Sequence, residues 1–327
     1  MVDAPMLDLI IIGGGPAGLS AALQALHKRL EVRLVTRHLG GKTNRRLQLP
    51  GPPPPLMITG EDLVDRFLAE ITYLDFLHLA AEVDQVSPLA QGYRVRVRPG
   101  PGDGRADQPL PPEGYQARAV IVATGTQPQR LNLPGEQQFY MRGLCYSAMT
   151  YAPWFMDRTA MVIGDGPLAL LSALELALIA QRVILVATTA TALASPLGQR
   201  LQALQNVVVK AGYQPQAVEG DDFARRLIVT GPTGREVLEA DGIFVERGLR
   251  PYSDCVAGLV ERSPDGYILV DAHNRTSSPG IFAAGDVTQV HREQVLIAIG
   301  EGAKAALAAH EYLLTQEPPV SPSAQIH

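Results

Sequence analysis

Short runs of β-branched and other apolar residues alternate along the chain with longer stretches of helical period. Residues 7–12 predict a buried strand, 16–29 a helix and 31–36 a second strand. The order strand, helix, strand is typical of the opening half of a doubly wound α/β fold. It returns over residues 159–189, where the central helix is apolar nearly all round and is therefore expected to be deeply buried.

Further elements are predicted around these two units. Residues 58–70 have a helical pattern with Thr59 near the N-cap, and residues 93–98 alternate strictly, as a strand with one wet face does. The wet face is either an electron-donor docking patch or an ordinary solvated surface, and it carries Arg94, Arg96 and Arg98. Later buried strands and a closing helix are predicted at 117–128, 280–287 and 297–314. Segments rich in proline or glycine predict loops and a tail at 50–55, 99–114 and 316–327.

Composition limits the class of protein. The 327 residues carry a formal net charge of −5, which leaves no basic footprint for nucleic acid. Length and a hydrophobic content of 46% fit about two packed domains. A charge or a breaker interrupts every apolar run before about 18 residues, so no membrane span is expected. The start MVDAPMLDL lacks the basic and cleavable segments of a signal peptide, and we expect a cytoplasmic protein.

Cysteine content narrows the redox chemistry. The sequence holds two cysteines, Cys145 and Cys255, and no CxxC pair. Two cysteines are too few for a disulfide framework, and no metal site is predicted. The simplest interpretation is that both are reduced and serve as small buried residues.

A glycine-rich turn occurs twice, each time after an apolar strand and before an apolar helix. The two copies consist of Gly13, Gly15 and Gly18, and of Gly164, Gly166 and Ala169. The first position permits a tight turn, the second lets backbone approach a pyrophosphate, and the third lets helix and strand pack closely. The pyrophosphate then lies on free N–H groups at the positive end of the helix. A strand–turn–helix without a ligand is the competing interpretation, but two copies predict two nucleotides, as in enzymes that pair a flavin with a nicotinamide.

Seven motifs over nearly the full length of the chain occur together in one family. They are GGGPAGLSAA (13–22), ITGEDL (58–63), ATG (123–125), LPGE (133–136), GLRP (248–251), GIFAAGDV (280–287) and GEGAKAA (300–306). On these motifs the chain resembles the low-molecular-weight thioredoxin reductases, in an atypical branch similar to cyanobacterial diflavin-linked and ferredoxin-linked flavoproteins.

The resemblance implies an α/β protein of two Rossmann-like three-layer domains. The FAD domain is discontinuous and consists of residues 1–135 and 251–327. An NAD(P)-type dinucleotide-binding domain, residues 136–250, is inserted between them. The resemblance also implies a homodimer and a domain rotation that alternates access to the flavin.

The resemblance further implies where FAD is bound. Asp286 hydrogen-bonds the ribityl chain, the backbone of Gln294 approaches the flavin pyrimidine edge, and Gly40 and Gly41 pass close to the cofactor. An acid at the end of a buried strand needs a partner on physical grounds as well, because an unpaired carboxylate there is costly; a structural cap is the alternative. The predicted FAD contacts are Gly13, Gly15, Pro16, Ala17, Gly18, Thr36, Arg37, Gly40, Gly41, Ala123, Thr124, Gly125, Gly285, Asp286, Gln294 and Val295.

The chain departs from the family at the CxxC pair. The matching positions, shortly before the second glycine-rich turn, are Ser147 and Thr150 in the segment SAMT. A thiolate attacks a disulfide, whereas a hydroxyl does not. Cys145 lies just upstream and alone. A single thiol can form a mixed disulfide but cannot resolve it, so Cys145 is only a secondary catalytic candidate.

A second departure concerns the choice of nucleotide. The family uses basic residues for the NADPH 2′-phosphate, but ATTATAL (187–193) stands here, and no charged residue occurs from 183 to 199. A 2′-phosphate needs Arg or Lys and a free ribose needs an acid, so NADPH is expected to bind weakly and NADH is not favoured. A second FAD is compatible with the uncharged site. The predicted contacts are Gly164, Asp165, Gly166, Pro167, Leu168, Ala169, Ala187 and Thr188.

The FAD domain lacks the same acid. Thr36 stands at the offset from its glycine-rich turn that Ala187 has from the second one, with Arg37 and His38 adjacent. The Thr36 hydroxyl can still bond a ribose oxygen. FAD has many other contacts, so FAD remains the expected cofactor of this domain.

Four other residues are candidates for contact with a flavin. Tyr146, Tyr151 and Trp154 lie near the lost cysteines, where an aromatic ring can stack on the isoalloxazine, and packing in the core is the alternative. His291 follows Asp286 closely, and the ordinary pKa of histidine suits a proton donor.

The predicted function is flavin-based electron transfer by a thioredoxin-reductase-like oxidoreductase without its own redox dithiol. A second FAD in the former NADPH site is one form of this prediction. A ferredoxin- or NAD(P)H-linked flavin reductase is the competing enzyme, with ferredoxin as a protein electron donor. A non-catalytic flavin-binding redox sensor or regulator is the alternative from another class.

Overall fold

The computed structural model describes residues 6–51, 60–71, 74, 77–99, 110–290 and 292–316. Its helices are α1 (Pro16–His27), α2 (Gly60–Ile71), α3 (Ala148–Tyr151), α4 (Pro167–Ala177), α5 (Pro196–Gln202) and α6 (Val295–Thr315). Its strands are β1 (Leu7–Ile12), β2 (Val32–Val35), β3 (His78–Leu79), β4 (Ala81–Pro88), β5 (Tyr93–Pro99), β6 (Tyr115–Val122), β7 (Thr126–Pro128), β8 (Leu144–Cys145), β9 (Thr159–Ile163), β10 (Arg182–Ala187), β11 (Val207–Ala211), β12 (Gln214–Gly220), β13 (Ala224–Gly231), β14 (Gly234–Glu239), β15 (Gly242–Val245), β16 (Leu249–Pro251) and β17 (Ile281–Ala283). The predictions for Thr59, for His291, for most of the proline-rich and glycine-rich loops and for the tail lie outside the described residues.

The chain divides into two compact units. The first contains residues 1–44, 58–126 and 251–327, and the second contains residues 45–57 and 127–250. This division places residues 45–57 and 127–135 with the second unit, whereas the motif-based boundaries put them in the FAD domain. The chain therefore enters the second unit twice before residue 135.

The first unit is built on a sheet with both faces buried. Its strands lie in the order β3-β2-β1-β6-β5-β4, and β17 pairs with the end of β6. β1, β2, β3, β6 and β17 pair in parallel, and β4 and β5 form an antiparallel hairpin beside them. Leu9 and Ile11 of β1 face the helices, whereas Ile10 and Ile12 face the hairpin side. The continuous apolar run of β1 therefore predicted its two-sided burial correctly.

Small residues let α1 and α6 cross closely over this sheet. A Cβ atom at Gly302 would lie 2.9 Å from the Cα of Ala17. The Ser20 hydroxyl donates to the carbonyl oxygen of Ile299 over 2.8 Å, which satisfies a buried polar group at the crossing. The close crossing fixes the N-termini of both helices at one edge of the sheet.

The second unit repeats the parallel arrangement. Its strands lie in the order β11-β10-β9-β15-β8, and β12, β13 and β14 form a separate antiparallel sheet. α4 follows β9, but it ends at Ala177, and Leu178 beyond it is 80% exposed. Leu171 and Leu174 are only half-buried. The prediction that this helix is buried all round was wrong, because only one of its apolar faces packs on the sheet.

Three other predictions need correction at their boundaries. α1 ends at His27, since Arg29 already has a left-handed φ of 57°. The strand expected over 117–128 is interrupted after Val122, and the strand expected over 280–287 ends at Ala283. Both interruptions occur at glycine-containing segments that belong to the candidate site. Among the described residues, no helix is long and apolar enough to cross a membrane.

The arginines on β5 lie on a cross-strand polar face. Arg98 Nε lies 2.9 Å from Glu82, and Arg96 donates to Gln85 over 3.0 Å. Arg94 reaches Glu113 at 3.5 Å. Such cross-strand pairs stabilise an exposed sheet face and need no partner protein. They favour the solvated-face interpretation over the docking patch.

Candidate functional site

The first glycine-rich turn joins β1 to α1 in the first unit. Gly13 has a left-handed φ of 110°, and a Cβ atom there would lie 2.6 Å from the carbonyl carbon of Ala123. A Cβ atom at Gly18 would lie 2.9 Å from the carbonyl carbon of Gly13, so the helix approaches the strand too closely for a side chain. At Gly15 the Cβ position faces open space among the described residues. The turn therefore has the tight and open positions that a pyrophosphate requires.

The N-terminus of α1 points its N–H groups into this opening. Gly15 is the N-cap and Pro16 the first helical residue, and within this described helix no side chain caps the end and no acid stands in the first turn. The first N–H groups of a helix have no intrahelical partner and carry the positive end of the dipole. This end of α1 is therefore suited to bind a phosphate group.

The glycine pair Gly40–Gly41 lies directly on the turn. The Gly40 N–H donates to the carbonyl oxygen of Gly14 over 2.7 Å, and a Cβ atom at Gly41 would lie 2.9 Å from the Cα of Gly15. Both glycines have a positive φ, 90° and 61°. The chain after β2 thus passes beside the pyrophosphate position without any side chain in between.

Two other predicted segments reach the same edge of the sheet. The Ala123 N–H donates to the carbonyl oxygen of Ile12 over 2.8 Å, so the segment 123–125 starts beside the first turn. A Cβ atom at Gly285, which follows β17, would lie 2.9 Å from the Cβ of Ala17. Because β1, β6 and β17 are parallel, their carboxyl ends bring these residues together, which is where α/β sheets bind ligands.

Asp286 and Glu293 share the ammonium group of Lys42. Lys42 Nζ lies 2.7 Å from Asp286 Oδ2 and 2.9 Å from Glu293 Oε2, and it also donates to Thr126 Oγ1 over 2.9 Å. The Thr126 hydroxyl in turn donates to Glu293 Oε1 over 2.6 Å. We call these four residues the Lys42 network. It supplies the partner that the position of Asp286 demands, and it does so from within the chain.

The Lys42 network shifts the protonation of its members. Burial raises the pKa of Glu293, the Asp286 charge raises it further, and Lys42 and Thr126 oppose this only in part. Burial lowers the pKa of Lys42, but the two carboxylates outweigh this effect and the net pKa is raised. Lys42 therefore stays charged at neutral pH, and Glu293 is the group of the network that protonates most readily on mild acidification.

The ends of β2 and of the segment before α6 complete the first site. The Thr36 hydroxyl donates to the carbonyl oxygen of His38 over 3.0 Å, and a Cβ atom at Gly14 would lie 2.5 Å from Thr36 Cγ2. Arg37 forms an ion pair with Glu82 and is thereby directed away from a cofactor role. Gln294 is the N-cap of α6 and Val295 its first residue, so both present backbone at a helix N-terminus.

The second glycine-rich turn joins β9 to α4 in the second unit. A Cβ atom at Gly164 would lie 2.8 Å from the Cβ of Ala169, so the third position is small for the same reason as in the first turn. Gly166 is the N-cap of α4, and its Cβ position faces open space among the described residues. Pro167 follows at the first helical position, and this described helix has no side-chain cap. The second turn thus repeats the anion-binding shape of the first.

Asp165 links this turn to the end of β10. The Thr188 hydroxyl donates to Asp165 Oδ2 over 2.5 Å, and the Thr189 N–H donates to Oδ1 over 3.0 Å. Ala187, the last residue of β10, is buried. The structure therefore brings together Asp165, Ala187 and Thr188 of the predicted second site.

A pair of hydroxyl groups stands where the family's dithiol is expected. Ser147 Oγ and Thr150 Oγ1 are 2.8 Å apart at the two ends of one helical turn, α3. The carboxylate of Glu246 accepts the Ala148 N–H over 2.8 Å and lies buried below this turn. A Cβ atom at Gly164 would lie 2.9 Å from the carbonyl carbon of Glu246, so α3 and the second glycine-rich turn are neighbours in this unit.

Neither cysteine has the surroundings of a reactive thiol. Cys145 is buried, and burial raises the pKa of its thiol far above the ordinary value. Burial also raises the pKa of Cys255 to about 11. The thiolate is the nucleophilic form of cysteine, so both side chains are unreactive at neutral pH.

The aromatic residues near α3 have partners within the second unit. The Tyr146 hydroxyl donates to Glu136 over 2.6 Å, and its ring packs 5.5 Å from that of Tyr140. Tyr151 packs edge-on against Trp154 at 5.7 Å, and its hydroxyl accepts the Leu47 N–H over 3.2 Å. These contacts support packing as the role of the cluster.

Sequence reasoning did not find Lys42, Thr126, Glu293 or Glu246. Lys42 directly follows the glycine pair and Glu293 directly precedes Gln294, so adjacency to predicted contacts was the available signal. Among the described residues, no group of three or more His, Cys, Asp or Glu side chains is placed to hold a metal ion.

Two dinucleotide turns, each at the carboxyl edge of a parallel sheet, define a two-unit nucleotide-binding oxidoreductase fold. The model of the family described as pyridine nucleotide-disulphide oxidoreductase matches residues 7–302. The chain belongs to this family of flavin-dependent oxidoreductases.

Curated relatives carry the same family relationship. The chain is 33% identical to the flavoprotein component of alkyl hydroperoxide reductase from Pseudomonas putida, over 95% of this chain and 59% of that protein. It is 32% identical to the corresponding alkyl hydroperoxide reductase component of Staphylococcus aureus (strain MSSA476), over 94% of this chain and 59% of that protein. The chain therefore spans about three fifths of the length of these relatives.

Solved structures show the same architecture. Thioredoxin reductase from Streptococcus pyogenes MGAS5005 superposes with a TM-score of 0.81 at 28% identity and covers 95% of this chain and 99% of its own. Thioredoxin reductase from Giardia duodenalis gives a TM-score of 0.80 at 24% identity over 95% of this chain and 100% of its own. The second likeness supports the fold alone, and together they confirm the predicted α/β fold of two Rossmann-like units.

Proposed function

We propose that the protein is a flavin-dependent oxidoreductase that moves electrons between FAD and an external partner without an internal dithiol. The observation that carries this proposal is the 2.8 Å contact between Ser147 Oγ and Thr150 Oγ1. Two hydroxyls at hydrogen-bond distance occupy the place that the family resemblance assigns to two thiols. Hydroxyl groups neither attack a disulfide nor store a pair of electrons.

The first unit holds FAD in this proposal. The open positions at Gly15 and Gly125 and the bare glycine pair fit a dinucleotide that passes along the edge of the sheet. When bound, FAD supplies one-electron and two-electron redox chemistry. The N-terminus of α1 binds the pyrophosphate. Lys42 holds Asp286 by Oδ2, and we assign Oδ1 of Asp286 to a ribityl hydroxyl.

The second unit holds a second FAD. Its glycine-rich turn keeps the open position at Gly166, while residues 183–199 supply no Lys or Arg for a 2′-phosphate. FAD carries a free ribose and needs no such cation. Flavin released by acid from protein reconstituted with excess FAD is expected to reach about two FAD per chain. One FAD per chain would remove the second flavin from the proposal and leave the first.

The electron source is a protein donor such as reduced ferredoxin. This assignment is supported by the missing cations at β10, which disfavour NADPH as a hydride donor. Anaerobic mixing with reduced ferredoxin is expected to bleach the flavin band near about 450 nm. Bleaching within seconds by NADPH would contradict it. If ferredoxin, NADPH and NADH all leave the flavin oxidised, the non-catalytic sensor becomes the better function.

The dithiol position is tested by restoring it. Ser147→Cys with Thr150→Cys is expected to give a thiol pair that closes to a disulfide on oxidation, since the two hydroxyl oxygens are already 2.8 Å apart. On reduction the double variant should gain the long-wavelength absorbance of a thiolate–flavin charge-transfer complex. The single variant Ser147→Cys is the control and should form no intramolecular disulfide. A double variant without the new absorbance would show that the lost pair belongs elsewhere.

A further inference from the structure

We infer that Asp165 makes the second unit select adenine dinucleotides with a free 2′-hydroxyl and reject those with a 2′-phosphate. The inference rests on the proposed nucleotide site in that unit and concerns its specificity. Asp165 stands between Gly164 and Gly166, and its carboxylate is bonded to Thr188 and Thr189. A residue of the glycine-rich turn thus reaches the loop that follows β10.

The end of the second strand is the place where dinucleotide folds recognise the adenosine ribose. An acid about 20 residues after the first glycine accepts the ribose hydroxyl in proteins that bind NAD. Here that position is Ala187, which is buried and uncharged, so the sequence gives no sign of ribose recognition. The structure brings a carboxylate to the same loop from the opposite direction, because Asp165 bonds the two residues that directly follow Ala187.

The carboxylate has capacity left for a ligand. An ionised Asp offers about four lone-pair sites, and the contacts with Thr188 and Thr189 occupy two of them. The others can accept a ribose hydroxyl. The two protein contacts also fix the rotamer of Asp165, so the acceptor is oriented before the nucleotide arrives.

The same group disfavours a 2′-phosphate. A phosphate monoester carries a charge of about −1.5 to −2 at neutral pH, and like charges at short range repel. No residue from 183 to 199 supplies a compensating cation. Arg182 is exposed at the far end of β10, away from the loop that Asp165 reaches. Rejection of NADPH is therefore an active effect of Asp165 as well as a missing attraction.

A structural role alone makes a different prediction. If Asp165 only braces the loop after β10, its charge is irrelevant, and Asp165→Asn, which keeps the shape and a carbonyl acceptor, leaves nucleotide selection unchanged. If Asp165 selects the nucleotide, the same substitution removes the repulsion. The ratio of two affinities therefore separates the two roles better than either affinity alone.

The test measures dissociation constants of ADP-ribose and 2′-phospho-ADP-ribose on the full chain with FAD bound in the first unit. Titration calorimetry gives both constants, or competition against release of the second FAD where the protein retains it. The wild-type protein is expected to bind ADP-ribose at least about tenfold more tightly. Asp165→Asn should tighten 2′-phospho-ADP-ribose about tenfold and change ADP-ribose by less than about threefold. Asp222→Asn, which removes an exposed charge of the same unit, should leave both constants unchanged.

Gly166→Ala locates the binding. Its methyl group enters the open space at the second turn and should weaken both probes equally, with the ratio preserved. A ratio near one in the wild type, or a ratio that Asp165→Asn does not change, overturns the role of Asp165 and leaves the nucleotide site standing. Failure of both probes to bind, or binding that Gly166→Ala does not affect, overturns the second nucleotide site and this inference with it.

Discussion

Lys42 Nζ lies 2.9 Å from Glu293 Oε2, so the residue after the glycine pair is ion-paired with the residue before the last helix cap. The two residues come from opposite ends of the chain and meet at the carboxyl edge of one sheet. Their pairing ties the loop after β2 to the start of α6. It also keeps two carboxylates, those of Glu293 and Asp286, together at the candidate FAD site.

Removal of Lys42 should make stability depend on pH. Lys42→Met leaves the carboxylates of Glu293 and Asp286 facing each other without a cation, so the pKa of Glu293, already raised, rises further. An acid with a raised pKa in the folded state stabilises below its unfolded pKa, and this stability is lost as pH rises through the folded pKa. We expect a loss of about 1–2 kcal/mol in the free energy of unfolding at about pH 8, and a smaller loss at about pH 5.

Urea denaturation of the wild type and the variant at both pH values measures this difference. The double variant Lys42→Met with Glu293→Gln is the matched control, and its loss should be the same at both pH values because the titrating group is gone. An equal loss for Lys42→Met alone at the two pH values would contradict the coupling between Lys42 and Glu293.

Two alanine substitutions in the first glycine-rich turn should have opposite consequences. Gly15→Ala places a methyl group in open space at an ordinary φ of −76°, so the fold should survive while FAD affinity falls about tenfold or more. Gly18→Ala drives a methyl group against the Gly13 carbonyl and should cost about 1–3 kcal/mol of stability. Thermal unfolding of the apoprotein and fluorescence titration with FAD separate the two effects. Tight FAD binding by Gly15→Ala would argue that the pyrophosphate does not pass this turn.

Cys145 should be dispensable for redox chemistry. Its burial raises the thiol pKa, so a thiol reagent at about pH 8 should label it only after unfolding. Cys145→Ala is expected to leave the rate of flavin reduction by any effective donor within about twofold of the wild type. Stopped-flow absorbance measures that rate, with Cys255→Ala as the comparison. A large drop confined to Cys145→Ala would mean that a single thiol takes part in electron transfer.

The exposed face of α6 is the expected site of self-association. Leu296, Leu307 and Leu314 are 69%, 40% and 72% exposed, and their spacing puts them on one face of the helix. A second copy of the chain would remove this apolar surface from water. Light scattering is expected to give a dimer for the wild type and a monomer for Leu307→Glu. A monomeric wild type, or a dimer that Leu307→Glu leaves intact, would place the interface elsewhere or remove it.

Local patterns predicted the parts of the fold that depend on neighbours in sequence. β1 and both glycine-rich turns were identified correctly, because an apolar run, a glycine spacing and the following helix lie within about 15 residues. The end of α4 was not, because apolar residues such as Leu178 satisfy a helical pattern whether or not another element covers them. Burial is a tertiary property, and the pattern records only which residues tolerate it.

The candidate site was predictable only where a motif carries it. Asp286 was singled out as an acid at a strand end that needs a partner, yet the partner, Lys42, lies far away in the sequence and has no motif. The acid beside β10 was missed for the same reason. The search for it followed the end of the strand, whereas Asp165 reaches that loop from the turn before α4. Contacts between distant segments appear only after the sheet has brought their ends together.

The central claim is that the chain has a flavin but no redox-active dithiol. Anaerobic titration with dithionite, normalised to the FAD released from the same sample, counts the electrons that each flavin accounts for. The Ser147–Thr150 hydroxyl pair stores none, so we predict about two electrons per FAD whether the chain binds one flavin or two. An uptake of about four electrons per FAD would reveal a second two-electron acceptor of the dithiol type and would contradict the account.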